Sequence, residues 1–296
     1  MTLLEAVHAA SARLAQAGVA FGHGTTNAWD EAVWLVLWRL GLPLHELDGV
    51  AARELTGSEQ QALAALVEQR IATRKPAAYL TGEAWLQGVP FTVDERVIVP
   101  RSLIAELVAD PERCPALEAW LAPHTQRVLD LCTGNGSLAV LAALAWPEVT
   151  VDAADLSAAA LAVARINVER HGLAGRIRLL QGDGLAAVGA QRYDLILCNP
   201  PYVDAQAMAA LPPEYRAEPA LALDGNFAGG SDGLDFVRTL LRTAAAHLSE
   251  AGVLVLEIGQ GRAAFERAYP RLEVAWLPTS AGDDQVFVVS RAALPA

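Results

Sequence analysis

The sequence is poor in the residues that mark several classes of protein. Among its 296 residues are three cysteines, Cys114, Cys132 and Cys198. The number is odd and no pair has Cys-x-x-Cys spacing, so a disulfide framework and a zinc site are both disfavoured, and no metal is expected. Reduced thiols in a cytoplasmic protein are the simpler reading. Cys132 and Cys198 lie in apolar strand contexts that suit core packing. Long hydrophobic runs are absent too. The most apolar stretch, Ala32 to Leu40, carries Arg39 and is too short to cross a bilayer. The first residues show no basic region followed by an apolar run, so no signal peptide is read there. Basic residues are scarce: lysine and arginine total 22 against 34 acidic residues, for a net charge of -12. Such a surface weakens affinity for phosphates. Direct sequence-specific nucleic-acid binding is not expected, and a basic protein partner is favoured. Apolar residues, at 53%, are too many for a disordered chain and enough for a sizeable core.

Two regimes follow along the chain. Over residues 1–82 apolar residues recur at helical spacing. Leu3, Leu4, Val7 and Leu14 form one stripe, Trp34, Leu35, Trp38 and Leu42 a second, and Leu63, Leu66, Val67 and Ile71 a third. Trp34 and Trp38, four apart, read as core rather than as a partner surface. Ser58, ahead of Glu59, reads as an N-cap. This region is expected to be a small all-helical substrate-recognition domain. Residues 83–112 read as a β-hairpin and linker, with Gly88-Val89-Pro90 between two β-rich runs. Residues 113–296 alternate strand and helix patterns. Strands are expected over 128–131, 149–153, 177–180, 194–197, 252–258 and 285–289, with helices over 138–145, 158–171 and 234–248. The alternation implies right-handed crossovers and an α/β, doubly wound, mostly parallel sheet, its last strand antiparallel beside the one before. The stretch 205–233 lacks a period and reads as a long functional loop.

Two constellations carry chemistry. In the first, the strand Val128-Leu-Asp-Leu131 runs into Cys132-Thr133-Gly134-Asn135-Gly136-Ser137 and then a helix. Glycine lets a ligand approach the backbone, and the helix start offers free amide hydrogens. Two glycines alone are a weak signal. Asp155, after the next strand, strengthens it, because a carboxylate there accepts hydrogen bonds from ribose hydroxyls. Asp183 and Gly184, after the third strand, line the same edge. Together they point to a nucleoside-containing cofactor. In the second constellation, Asn199-Pro200-Pro201-Tyr202 ends the fourth strand of this region. The prolines fix φ and remove two backbone donors, leaving a rigid turn rich in acceptors. A planar NH2 group would give one hydrogen to the Asn199 side chain and one to the Pro200 carbonyl, with Tyr202 stacked on its plane. The nitrogen would then be oriented for attack on a methyl sulfonium, with catalysis coming mainly from positioning. A glutamine amide and an adenine amino group suit the tetrapeptide equally.

Asp-Leu-Cys-Thr-Gly-Asn-Gly, then Asp155, then Asn-Pro-Pro-Tyr, in this order, resembles the class I (Rossmann-like) S-adenosyl-L-methionine-dependent methyltransferases. With its helical N-terminal part and Val99-Pro100-Arg101 link, the whole chain resembles the protein-(glutamine-N5) methyltransferases. Arg101-Ser102 followed by Glu106-Leu107, the run Glu214-Tyr215-Arg216-Ala-Glu218-Pro219, and Trp276 before Gly282 to Phe287 resemble the branch acting on large-subunit ribosomal protein L3. The sister branch acts on peptide chain release factors. Leu103 stands where that first branch has proline, and 223–230 looks a few residues longer. The resemblance implies that S-adenosyl-L-methionine meets Thr133, Gly134, Asn135, Gly136, Ser137, Asp155, Asp183, Gly184 and Asn199. It implies that the glutamine meets Asn199, Pro200, Pro201, Tyr202 and Arg101, with Asn199, Pro200 and Tyr202 as catalytic residues. The implied partner is ribosomal protein L3, free or in an assembling large subunit. The alternatives are release-factor glutamine and, further off, adenine in nucleic acid.

Overall fold

The computed structural model of the protein describes residues 1–109, 115–122 and 124–295. Cys114 and the expected boundary at 112/113 lie outside the described residues.

The N-terminal region is helical as its periodicity demands. Helices α1 (Leu3–Gln16), α2 (Ala28–Arg39) and α3 (Gly57–Thr73) pack around Leu3, Val7, Leu14, Leu35, Leu63, Leu66 and Val67. Trp34 is in that core and Trp38 packs against it. The cap of α3 differs from expectation. Thr56, not Ser58, is the N-cap: its hydroxyl accepts from the Glu59 amide at 3.3 Å, and the Glu59 carboxylate accepts from the Thr56 amide at 2.9 Å. Thr56-x-x-Glu59 has the three-residue spacing that a reciprocal capping box requires, whereas Ser58 sits inside the first turn. This core is continuous with the larger part of the chain through Val93, Val97, Val99, Ala160 and Val163.

A two-stranded sheet follows, β1 (Glu83–Leu86) and β2 (Val89–Thr92), paired Leu86↔Val89. The turn is therefore the dipeptide Gln87-Gly88, with φ of 50° and 75°. Two successive positive φ values suit the right-handed twist of a tight hairpin, and Val89 and Pro90 belong to the strand.

The remainder forms a seven-stranded sheet. In chain order it has β3 (Arg127–Leu131), α4 (Ser137–Ala145), β4 (Thr150–Asp155), α5 (Ala158–Arg170), β5 (Ile177–Gln181), β6 (Tyr193–Cys198), α6 (Asp235–Thr243), β7 (Leu248–Glu257), β8 (Ala275–Thr279) and β9 (Gly282–Ser290). The spatial order is β5-β4-β3-β6-β7-β9-β8. The first five are parallel. β9 runs antiparallel to β7, as expected of the last strand, and β8 pairs antiparallel with β9. Successive residues alternate between the two apolar layers. Val128, Leu195, Leu197, Val253 and Val255 face α4, and Leu129, Leu131, Ile196, Leu254 and Leu256 face Val237, Leu240 and Leu241 of α6.

Three local expectations are corrected. The edge strand β8 was not foreseen, because Ala275-Trp-Leu-Pro-Thr279 is short and carries a proline, which only an edge position tolerates. The helix expected over 234–248 is α-helical only to Thr243 and continues as a 3-10 turn over Ala244–His247, and Leu248 already pairs with Tyr193 at the start of β7. The stretch 205–233 is not a bare loop. It contains the short helices Ala205–Ala210 and Pro213–Arg216, the first capped by Asp204, whose side chain accepts from the Ala207 amide at 2.8 Å. Turns this brief carry no helical period long enough to read.

Thr56→Ala is expected to lower the melting temperature by roughly 2–4 °C, while Ser58→Ala changes it little. Thermal unfolding followed by circular dichroism checks the pair; the reverse order would restore Ser58 as the cap.

Candidate active site

The strand order reverses between β3 and β6, whose last paired residues are Leu131 and Cys198. Segments leaving these two carboxyl ends must diverge, and the gap between them is where an open α/β sheet binds ligands. Both chemical constellations leave from this point.

After β3 the backbone turns sharply. Cys132, Gly134 and Gly136 all have left-handed φ, at 62°, 55° and 81°. Cys132 is a rare non-glycine there, and its strain is kept at the site's edge. At Gly136 an added Cβ would come within 3.2 Å of the Ala164 Cβ, so glycine also lets α4 pack against α5. The turn aims the Gly134 amide at Asp155, which accepts it on Oδ2 at 2.9 Å and the Ser157 amide on Oδ1 at 2.8 Å. Burial raises the Asp155 pKa against these hydrogen bonds.

Gly136 has no side chain with which to cap α4. Asp130, within β3, supplies the missing acceptor: its Oδ2 takes the Ala139 amide at 2.9 Å and the Thr133 hydroxyl. A carboxylate at a helix N-terminus is favoured by the helix dipole. Asp130 is nevertheless fully buried, and desolvation pushes its pKa up to about 7. Its Oδ1 accepts no hydrogen bond among the described residues.

A cavity of about 270 Å³ opens at this edge. Of the residues expected at a cofactor, Gly134, Asp155, Asp183, Gly184 and Asn199 line it. Thr133, Asn135, Gly136 and Ser137 stand behind. The Asn135 side chain accepts the Ser137 amide at 3.2 Å, and its carbonyl accepts from Asn167 at 2.8 Å. Those four shape the turn rather than the wall. Leu156, Leu221 and Phe227, all exposed large apolar side chains, border the same cavity with Phe236. A second groove, of about 340 Å³, lies at the amino end of the strands around Arg127, Arg176 and Arg178, and includes none of the expected site residues.

Asn199 and Pro201 reach the cavity, while Pro200 is buried beneath. The Asn199 Oδ1 is buried and accepts nothing among the described residues. An unpaired buried acceptor is costly, and a ligand N–H would relieve it. Tyr202 does not line the cavity. Its ring packs on the Gly259 backbone, where an added Cβ would fall 2.5 Å from the ring, and its hydroxyl donates to Glu257 Oε1 at 3.1 Å. Glu257, the last residue of β7, also accepts the Ser102 hydroxyl at 2.6 Å and the Leu103 amide at 2.9 Å. Burial raises the pKa of both Tyr202 and Glu257. Arg101 does not reach the cavity either. It forms a two-pronged pair with Glu218, at 2.7 and 2.8 Å. Cys198 is buried and Cys132 borders the cavity; both thiols are free, and burial pushes Cys198 up.

Sequence reasoning missed Asp130, Glu257 and the partners of Glu218. The first two carried a usable signal: Asp130 is the lone carboxylate of β3, flanked by Val128, Leu129 and Leu131, and Glu257 directly follows the apolar run Val253 to Leu256. A charge in such a place must be paired and purposeful.

The sequence matches two families, described as "Methyltransferase small domain" over residues 115–213 and "PrmC N-terminal domain" over residues 5–82. It is 51% identical over 292 residues to the ribosomal protein uL3 glutamine methyltransferase of Bordetella pertussis, covering 98% of this chain and 95% of that protein. It is 50% identical over 308 residues to the protein of the same name from Burkholderia pseudomallei, covering 100% of this chain and 96% of that one. Among solved structures, the hMettl16 catalytic domain in complex with MAT2A 3'UTR hairpin 1 is similar at a TM-score of 0.51 and 15% identity, over 82% of this chain and 83% of that one. Likeness at that identity speaks to the fold alone.

Asp130 generates a pH prediction. A carboxyl whose folded pKa is raised is most stabilising when protonated, so its contribution is lost as pH rises from about 4 through about 7. Asp130→Asn keeps the acceptor for Ala139 and cannot ionise. The melting temperature of the variant relative to the unaltered protein is expected to climb over that window; a flat difference contradicts the assignment.

Proposed function

The chain belongs to the ribosomal protein uL3 glutamine methyltransferases, and on that premise we propose that it moves a methyl group from S-adenosyl-L-methionine to the side-chain amide nitrogen of a glutamine in ribosomal protein uL3. The single observation that carries the reading is the Asn199 Oδ1, a buried acceptor with no donor among the described residues, at the wall of a cavity that also holds Gly134 and Asp155.

The residues present fit the methyl donor. Asp155 lines the cavity with a carboxylate that can accept ribose hydroxyls beyond its two backbone donors, and Asp183 and Gly184 continue the same wall. When bound, the donor supplies a methyl group on a positively charged sulfur. The chain's own residues do the rest. Asn199 accepts one amide hydrogen of the glutamine and the Pro200 carbonyl accepts the other, which holds the nitrogen's face toward the cavity and adds electron density to a weak nucleophile. Positioning of this kind is the main catalytic contribution available without a strong base. The amide loses its proton after the methyl has arrived. Tyr202, held by Glu257 and Gly259, packs beside the amide plane. Thr133, Asn135, Gly136 and Ser137 act through the turn they build.

Residues 1–82 serve substrate recognition, residues 83–112 link, and residues 113–296 carry out transfer. No helix of the described residues is long and apolar enough to cross a membrane. The reading places the enzyme in the cytoplasm, where a net charge of -12 favours a basic protein partner over bare nucleic acid.

Transfer of labelled methyl groups onto purified, unmodified uL3 tests the proposal, with release factor and DNA as parallel substrates. Asn199→Ala is expected to lower kcat/KM for uL3 by about 10²–10³-fold, the scale of losing one aligned hydrogen-bonding group in an active site. Labelling of release factor or DNA but not uL3 would contradict the substrate, and an Asn199→Ala enzyme of unchanged kcat/KM would contradict the site.

A further inference from the structure

The segment after Tyr202 is gripped from two sides. Toward the helical region, Glu214 is fully buried, with Arg74 Nε at 2.7 Å and Arg70 Nη1 at 3.4 Å. Arg70, itself fully buried, also donates to Glu31 at 2.8 Å and to the Ala20 carbonyl at 3.0 Å. The Tyr215 hydroxyl donates to the Phe21 carbonyl at 3.3 Å and occupies the space where Gly22 would carry a Cβ. The His23 ring packs on Tyr215 at a tilt of 49°, with centroids 4.3 Å apart, and its Nε2 stands 3.3 Å from Glu218 Oε2, within ion-pair reach although neither ring nitrogen makes a hydrogen bond among the described residues. Toward the cavity, Glu218 accepts the Val99 amide at 2.8 Å and both guanidinium prongs of Arg101, which also donates to the Val99 carbonyl at 3.1 Å.

The residues next to this clasp are cavity walls. Arg96, Val97 and Ile98, just before Val99, form one wall, and Pro219, Leu221 and Ala222, just after Glu218, form another. We propose that Glu218 is a positioning residue which, seated on His23 of the helical region, clasps these two walls together, so that the helical region sets the shape of the methyl-donor cavity. One independent tie runs the same way. The Tyr79 hydroxyl donates to the Val97 carbonyl, fixing the first wall from the end of the helical region. Glu218 also stays ionised while buried: desolvation would raise its pKa, but His23 and Arg101 outweigh it and hold the carboxyl at about 2. An ion so placed is structurally committed, because removing one partner leaves the others buried and unpaired. His23 does not itself line the cavity, which separates this role from that of a ligand contact.

The inference rests on reading the cavity as the methyl-donor site, and the experiment separates the two. Binding of S-adenosylhomocysteine to the full chain is measured by calorimetry, alongside steady-state methyl transfer to uL3. His23→Ala is expected to weaken S-adenosylhomocysteine binding by about threefold to tenfold, with KM for uL3 changing less than kcat, and His23→Gln, whose amide nitrogen replaces Nε2, to recover part of the loss. Glu218→Gln, which keeps the acceptor for Val99 but loses the charge, provides a second variant if Glu218→Ala does not fold. Coupling is reciprocal, so in the unaltered protein S-adenosylhomocysteine is expected to slow amide exchange over residues 20–24, outside the cavity. Binding within twofold of the unaltered protein for His23→Ala and Glu218→Gln, with exchange over 20–24 unmoved, overturns the coupling alone. Failure of the unaltered protein to bind S-adenosylhomocysteine overturns the donor-site reading and the coupling with it.

Discussion

The reversal of strand order between β3 and β6 is the constraint on which the site depends. Because β4 and β5 extend the sheet to one side and β6 and β7 to the other, the ends at Leu131 and Cys198 are neighbours whose continuing segments cannot stay together. The glycine turn and Asn199-Pro200-Pro201-Tyr202 are brought face to face by topology, although more than sixty residues separate them in the chain. No side chain needs to draw them together. Each segment is then stiffened separately, the turn by Asp130 and Asp155, the tetrapeptide by its prolines and by Glu257.

Buried charge is the second theme. Asp130, Glu257, Glu214, Glu218 and Arg70 are all removed from water. Each takes backbone amides or opposite charges as partners, which is the condition for keeping an ion in the interior. Their positions are not scattered. Asp130 holds the start of α4, Glu257 ties Ser102 to Tyr202, and Glu218 ties Val99 and Arg101 to the segment after the tetrapeptide. The polar interior is therefore a frame around the cavity, and the apolar layers above and below the sheet carry the bulk of the packing.

Much of this was legible in the sequence, and the failures have physical causes. Continuous β-branched and leucine runs located the parallel core strands, because such strands are apolar on both faces. Gly134 was found because a glycine turn after a strand lets a ligand approach the backbone, and Asn199 because its acceptor stands just before two prolines that make the turn rigid. Edge strand β8 was not, since a solvent-facing edge imposes no continuous apolar run. Arg101 illustrates a subtler limit. Its place beside the link was readable, but its direction was set by Glu218, which lies 117 residues away. Long-range partners of that kind leave no local pattern. Ser58 lost to Thr56 for a simpler reason: two hydroxyls compete for one cap, and only Thr56 stands three residues before Glu59.

The central claim is that Asn199 presents a glutamine amide of uL3 to the methyl donor. Its most direct measurement is tandem mass spectrometry of uL3 and release factors from cells with and without this enzyme, and from cells carrying Asn199→Ala. The account predicts one glutamine of uL3 heavier by a single methylene, with the mass on its side chain, only where the unaltered enzyme is present. A uL3 that is identical in all three, or a mark that moves to release factor, would contradict it.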